Sequence, residues 1–358
     1  MSKRTKQAAA MHRREQRYRA RRDGIQRPDG IDDNAIMRIL SVPPEQAGMR
    51  LDRFIQRQLR DTSRTRSQLI ITRSAFAPNG RALKKNHRLR AAERVILWRA
   101  AVDEQVPDIQ LQAVFEDDAL LAINKPPFLA VHPSARHHRA TITTMLRQQR
   151  PDDYLTLTHR LDRETSGVLL LARTRAADRA VKIQFQQRTR VEKHYLTLCR
   201  GVPDWHTTRC ELPLQPDRNS RYRVKMSVAK EGGRACATSF ERLQVRHHPS
   251  DPRRRYSLLR CTLHSGRQHQ IRVHLSALGL PVLGDKLYGP HHDDMFARGV
   301  DGHLTDEDQR ALELPRHALH AAELVIDHPN SGQRLRLHAP MFHDMQQFWQ
   351  RLVASETP

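Results

Sequence analysis

The string HRLDRETSGVLLLAR, residues 159–173, sets Asp162 between Arg160 and Arg163 and follows it with Thr165, Ser166 and Gly167 before an apolar run. That run reads as a buried strand, so the carboxylate stands on a polar loop held by a rigid element, a position that often carries function. Flanking guanidiniums favour the ionised carboxylate, which suits a nucleophile or a general base. An Asx-type turn with surface ion pairs fits the same spacing, and spacing alone leaves both readings open.

Two further strings carry candidate chemistry. HSGRQHQIRVHLSALGLPVLGDKLYG, residues 264–289, offers Arg267, His269 and Arg272. A buried Arg paired with a carboxylate would hold it in one orientation, and a planar bidentate fork does this better than Lys. His264, His269 and His274 recur every five residues, which matches no single helix face and argues against a metal site. EKHYLTLCRG, residues 192–201, puts Tyr195 at the start of a strand beside Lys193. Tyr195 reads as a core residue or as a platform on which a nucleobase stacks. Cys199, Cys210, Cys236 and Cys261 include no CxxC pair, which predicts free thiols in a reducing cytosol and no structural zinc.

The elements that must position these residues are legible in part. The chain's 358 residues suggest two folded domains with tails, and 38% apolar residues suffice for a core. Its 62 Lys and Arg against 39 Asp and Glu leave +23, which calls for a polyanionic partner. The charge is uneven. Residues 1–22 hold nine bases against one acid and residues 50–99 fourteen against three, leaving the other 286 residues at +4. A near-neutral body with a basic front end points to nucleic acid.

Residues 1–37 read as a disordered basic arm. Residues 38–99 read as a small module with two helices and a hairpin, the first helix marked by Leu51, Phe54, Ile55 and Leu59, the second by Leu69, Ile70 and Ile71, with PNG at 78–80 as a turn. Its arginines, Arg53, Arg64 and Arg66 among them, form an RNA-binding face. Residues 100–110 read as a linker, 111–352 as an α+β domain with a mixed, largely antiparallel sheet, and 353–358 as a tail. Within that domain a helix over 175–188 should bury Ala176, Ala180 and Ile183, the helix over 269–279 should stop at Gly279, and 289–315 reads as a polar surface insertion. The longest apolar run, VLLLA, is too short to span a bilayer, and the amino terminus lacks the apolar core of a secretory signal, so a cytoplasmic location is expected.

HRLDRETSG, with NKPPFLAVHPS (124–134), KHYLTL (193–198), GRQHQIRVHLSALGLPVLGDKLYG and RHALHAAELVIDHP (316–329), resembles the RluA family of pseudouridine synthases, the strings matching in order over residues 111–340. The segment 39–98 resembles more weakly the small RNA-binding module named after ribosomal small-subunit protein four. The resemblance implies isomerisation of a flipped-out uridine within RNA, without a cofactor or metal. It implies Asp162 as the catalytic aspartate, acting by attack on the sugar, attack on the base, or proton abstraction from the 2′ carbon. It implies Arg272 as the residue paired with that Asp, and Tyr195 as the aromatic that stacks on the uracil and helps deprotonate carbon 5. His159, Arg160, Arg163, Lys193, Arg267 and His269 follow as phosphate contacts or braces of the loop. The implied partner is structured RNA, large-subunit rRNA first and tRNA second, bound by a monomer. Where the family has a Gly soon after the Lys-Pro of the first string, this chain has Pro127 and Phe128, so that loop is expected to sit differently.

Two other functions fit parts of this pattern. A non-catalytic RNA-binding assembly factor would have no need for Asp162, Tyr195 and Arg272 together. A carboxylate glycosidase would need a second positioned acid, and none accompanies Asp162 in these strings.

Overall fold

The computed structural model describes residues 24–31, 35–59, 62–99, 107–133, 140–289 and 294–355. Most of the expected basic arm and most of the expected linker lie outside the described residues. The chain divides into two units, Met1–Gln105 and Val106–Pro358.

The first unit is a three-stranded antiparallel sheet with two helices. Strand β1 (Ile36–Ser41) pairs with β3 (Arg94–Arg99), which also pairs with β2 (Ala75–Phe76). Leu51, Phe54 and Ile55 of α1 (Leu51–Gln58) and Ile71 of α2 (Arg64–Ser74) meet Leu83, Leu89, Val95 and Leu97 in one core. Ser63 starts α2 by accepting the Arg66 N–H at 3.2 Å. Of the three apolar residues that mark this helix, Ile71 is buried and Ile70 packs beside it, while Leu69 is exposed, since three consecutive residues spread around a helix. The arm also needs correcting. The Gln26 N–H donates to Pro78 O at 2.7 Å and the Arg27 guanidinium lies over the Trp98 ring, so this stretch is docked on the sheet.

The second unit is α+β. Its strands are β4 (Ala113–Glu116), β5 (Leu120–Lys125), β6 (Thr156–Leu157), β7 (Ser166–Ala172), β8 (Glu192–Arg200), β9 (Thr207–Cys210), β10 (Leu214–Pro216), β11 (Met226–Val228), β12 (Thr238–His248), β13 (Asp251–Leu263), β14 (Leu319–Asp327), β15 (Arg334–His338) and β16 (Val353–Ala354). Its main sheet runs β16-β12-β13-β8-β14-β7-β5-β4, while β10 and β11 form a separate hairpin. β16 pairs with Arg246 and His247, so the stretch expected to be a tail begins inside the sheet. The helices are α3 (Ile142–Gln149), α4 (Arg175–Gln187), α5 (Gln270–Ala277), α6 (Asp294–Asp301), α7 (Asp306–Leu312) and α8 (His343–Arg351).

Two expectations are revised. On α4 the inward stripe is Ala177 and Val181, with Phe185 half-buried, while Ala176 and Ile183 face out. One residue is a rotation of about 100° on a helix, enough to turn the wrong stripe outward. The polar segment 289–315 carries α6 and α7. Thr305 and Asp308 form a capping box, Arg298 grips Asp308 at 2.6 and 2.7 Å, and Leu312 and Leu314 are buried. Its charges are spent in part on its own helix ends and in part on the rest of the unit, Glu313 pairing with Arg200 and Arg254 and Asp294 with Arg221.

The core rests on strands buried on both faces, β5 and β7 above all, where every residue is buried. β7 meets β14 in parallel, His320 opposite Ser166 and Ala321 opposite Gly167. Ala321 also faces Tyr195 on β8, and Tyr195 faces Cys261 on β13, so one row of residues crosses four strands. Gly167 sits at φ +112°, and a Cβ there would lie 2.2 Å from Ala321 O. Only glycine lets these strands close up five residues after Asp162. Gly167→Ala should therefore cost about 3 kcal/mol of stability by overpacking and strain, read as a lower urea midpoint; a wild-type midpoint would contradict the close packing.

Candidate active site

The loop 159–165 opens onto a cavity of about 470 Å³ in the second unit. Asp162 closes a turn by accepting the Thr165 N–H on its backbone carbonyl at 3.2 Å, and 28% of its side chain is exposed, so a substrate can reach it. His269 Nε2 and Arg272 Nη1 approach Asp162 Oδ2 at 3.7 and 3.6 Å. Arg163, expected to flank the carboxylate, turns toward Glu164 at 3.8 Å, and its backbone carbonyl accepts from Lys125 Nζ. The charge beside Asp162 comes from across the cavity more than from its chain neighbours.

Arg272 corrects the expectation in a second way. Its fork grips Asp285, with Nε at 2.6 Å and Nη2 at 2.8 Å, and offers Nη1 to Asp162 as a longer ion pair. Asp285 has almost no exposed surface and also accepts the N–H groups of Leu287 and Tyr288 at 2.9 and 3.0 Å. Four donors saturate it, so it acts as the anchor of Arg272 and is not a free second acid. The Arg272 guanidinium also lies over the Tyr288 ring. Tyr288 Oη accepts the Met226 N–H at 2.8 Å and stands 2.8 Å from His269 Nδ1. Donation of its own proton to Nδ1 satisfies both groups and places the imidazole proton on Nε2, facing Asp162. His269 itself adopts φ +56° as the residue before α5, which aims its ring into the cavity.

Burial pushes the Asp162 carboxyl up, but His269, Arg272, His317 and Arg160 together outweigh it and hold the group below the ordinary carboxylate range. Burial holds His269 down to about 4, so at neutral pH the imidazole carries no charge and the permanent positive charges acting on Asp162 are those of Arg272 and Arg160. Tyr195 is pushed up by burial and by the Asp162 charge, so it stays a neutral phenol. The cavity thus holds an accessible anion, a buried guanidinium and an aromatic wall, equipment for a reaction that builds positive charge on a sugar and negative charge on its leaving base.

Residues 119–277 match the model of the RNA pseudouridylate synthase family. Over 336 residues, 92% of this chain and 91% of the relative, the sequence is 33% identical to the ribosomal large subunit pseudouridine synthase D of Nitrosomonas europaea. The chain belongs to the RluA family of RNA pseudouridine synthases. It is also 32% identical to the ribosomal large subunit pseudouridine synthase C of Escherichia coli K12, over 88% of this chain and 97% of that one. In fold it resembles human RNA pseudouridylate synthase domain containing 1, at a TM-score of 0.55 and 24% identity, over 70% of this chain and 91% of that one.

The cavity of the synthase brings together His159, Arg160, Asp162, Lys193, Tyr195, Arg267, His269 and Arg272. Arg163 is not among its lining residues, and Arg53, Arg64 and Arg66 belong to the first unit, where Arg64 reaches the buried Asp52 at 3.5 Å. His159 is a brace: its Nε2 accepts the Leu170 N–H at 3.0 Å and its ring packs on Phe185. Lys193 Nζ lies over the same Phe185 ring, 4.6 Å from its centroid, and burial lowers the amine to about 8.

Several residues of the site carry no motif of their own. Phe185 and Arg188 also line the cavity, Arg188 ending α4 at φ +61°. The segment 217–235 carries six bases against two acids, with Arg218, Lys230 and Arg234 exposed. It is fastened to the cavity wall by Gln268 Nε2 donating to Val224 O at 3.2 Å and by Met226 on Tyr288. A local charge count over twenty residues would find it; a count over the whole second unit averages it away. The Phe128 backbone takes φ +66°, in the left-handed region that glycine adopts without strain.

The buried histidines set an acid limit on stability. Burial holds His159 down to about 3 and His269 and His320 each to about 4, against about 6.5 in an unfolded chain. These depressed values stabilise the fold above pH 6.5, and that contribution drains away as pH falls toward 4, because the unfolded chain binds the protons first. Unfolding near pH 5 should take up about three protons from these groups, measured as the slope of urea-derived stability against pH. A flat slope between pH 6.5 and 5 would contradict their burial.

Proposed function

We propose that this synthase converts particular uridines of large-subunit ribosomal RNA to pseudouridine, with Asp162 as the reacting carboxylate. The observation that carries the reading is an accessible, ionised Asp162 facing Arg272 and a neutral Tyr195 in one cavity. Its named relatives act on the large subunit, and their likeness runs through nearly the whole chain. The isomerisation breaks the bond from nitrogen 1 to the sugar, forms one from carbon 5, and moves one proton from carbon 5 to nitrogen 1, so it balances without a co-reactant. An anionic carboxylate serves attack on the sugar, attack on the base, and proton abstraction from the 2′ carbon alike. Tyr195 supplies a stacking face that keeps the detached uracil in place while it turns, and as a neutral phenol it is a platform first.

The uridine reaches this cavity only when flipped out of its stack. Arg160, Arg188, Lys193 and Arg267 then meet the neighbouring phosphates, and the basic hairpin around β10 and β11 extends that track. The first unit, with Arg53, Arg64 and Arg66, serves as a small RNA-binding module that adds sequence-independent affinity, and the protein works as a cytoplasmic monomer.

The test is pseudouridine mapping by carbodiimide-stopped primer extension on RNA from cells with the wild-type gene, a deletion, or Asp162→Asn. A stop in large-subunit rRNA that vanishes in the deletion and returns only with wild type is expected. A stop in tRNA moves the substrate there, restoration by Asp162→Asn overturns Asp162 as the reacting group, and no changed stop in the deletion favours an RNA-binding assembly factor. In vitro, Arg218→Ala/Lys230→Ala/Arg234→Ala should flatten the salt dependence of RNA binding by about two units of log–log slope, at about 0.7–0.9 for each phosphate no longer neutralised. A wild-type slope would remove the hairpin from the RNA path.

A further inference from the structure

The residue two places after Asp162 carries a second carboxylate that the chemistry does not use. Glu164 faces away from the cavity into a buried cluster: Oε1 takes Lys286 Nζ at 3.0 Å, Oε2 takes the His317 N–H at 3.2 Å, and its backbone carbonyl takes Arg316 Nη1 at 3.1 Å. Lys286 has a second partner, Pro315 O, at 2.6 Å and is almost wholly buried. Lys286 follows directly on Asp285, the anchor of Arg272. One dipeptide therefore holds both halves of the site: Asp285 holds the guanidinium that faces Asp162, and Lys286 holds the loop that carries Asp162. A trans peptide keeps successive Cα atoms about 3.8 Å apart, so the two halves share one fixed reference.

That reference is itself pinned. A Cβ on Gly284, at φ +74°, would come within 2.0 Å of Arg316 O, so the dipeptide is pressed against the residue whose side chain grips the Glu164 carbonyl. A Cβ on Gly299 of α6 would meet Lys286 Cδ at 2.5 Å, so the segment expected to be a surface insertion roofs the lysine stem.

We propose that Lys286, through Glu164, is a positioning residue that sets the Asp162 carboxylate against Arg272; this rests on Asp162 being the reacting group. With Lys286 gone, Glu164 keeps the His317 N–H and the more distant Arg163 but loses its closest cation, leaving under-compensated negative charge two residues from Asp162 that raises its proton affinity as well as loosening its loop.

The experiment is steady-state kinetics across pH on the RNA identified by mapping, with kcat and KM separated. Lys286→Met should lower kcat at least about 10-fold, as a displaced reacting group does. It should leave KM within about 2-fold, since the group touches no RNA, and move the acid limb of the rate to higher pH. Lys286→Met/Glu164→Gln removes the under-compensated carboxylate: the acid limb should return to its wild-type place while kcat stays low. A purely structural lysine would move neither the limb nor the turnover per folded molecule, so a wild-type kcat and limb in Lys286→Met overturn the proposal. Where Lys286→Met alone does not fold, the double variant decides by its kcat, wild-type turnover overturning the proposal. Turnover surviving in Asp162→Asn would instead overturn the identity of the reacting group, whatever the lysine variants do.

Discussion

Arg272 and Asp285 face each other through two hydrogen bonds, with 7% of one side chain and none of the other exposed. Removing two charges from water is costly, and such a pair persists only where the remaining donors and acceptors are also met. Here they are, by two backbone N–H groups on the Asp285 side and by the Tyr288 ring and Asp162 on the Arg272 side. Because Asp285 fixes its Nε and Nη2, Arg272 presents Nη1 to Asp162 at 3.6 Å as a fixed positive charge without neutralising it in a tight bidentate bridge. The carboxylate stays ionised and still has a face for substrate.

The fold works outward from that pair. Gly167 and Gly284 lack side chains where the backbone of 314–321 comes closest, one beneath the Asp162 loop and one beside Asp285. The string RHALHA thereby packs between the strings that carry Asp162 and Asp285: Arg316 reaches Glu164 and Asp344, His317 meets Thr165 at 2.9 Å, and His320 meets Ser166 at 2.9 Å. These neutral, buried histidines serve as hydrogen-bonding bricks, and their chemistry is positional. The same dry packing leaves the cavity's charge to the few groups that face it, which is why a single exposed carboxylate is distinctive there.

Elements with strong local signals are legible in the sequence. VLLLA, flanked by polar residues, reads as a strand buried on both faces, and Leu51, Phe54 and Ile55 as one face of a helix, and both form as expected. The stripe of α4 escapes such a reading because Ala176, Ala180 and Ile183 fit a helical period as well as Ala177 and Val181 do, and the sheet beneath decides between them. Segment 289–315 escapes it because its polar residues are consumed by a helix cap and by ion pairs, some to residues far away in the chain, so composition alone shows only polarity.

Order and content of the flanking strings are specific enough to assign Asp162, Tyr195 and Arg272 to one site from the amino acids alone. The polyanionic partner follows in the same way, because charge is additive along a chain. Which acid holds Arg272 does not follow, since ion pairing depends on distances between residues far apart in the chain, and Asp285, Glu164 and Asp162 are equal candidates by type. In the folded protein Asp285 anchors, Glu164 braces and Asp162 faces the cavity, because burial and saturation by donors separate three like carboxylates only once the strands have brought them together.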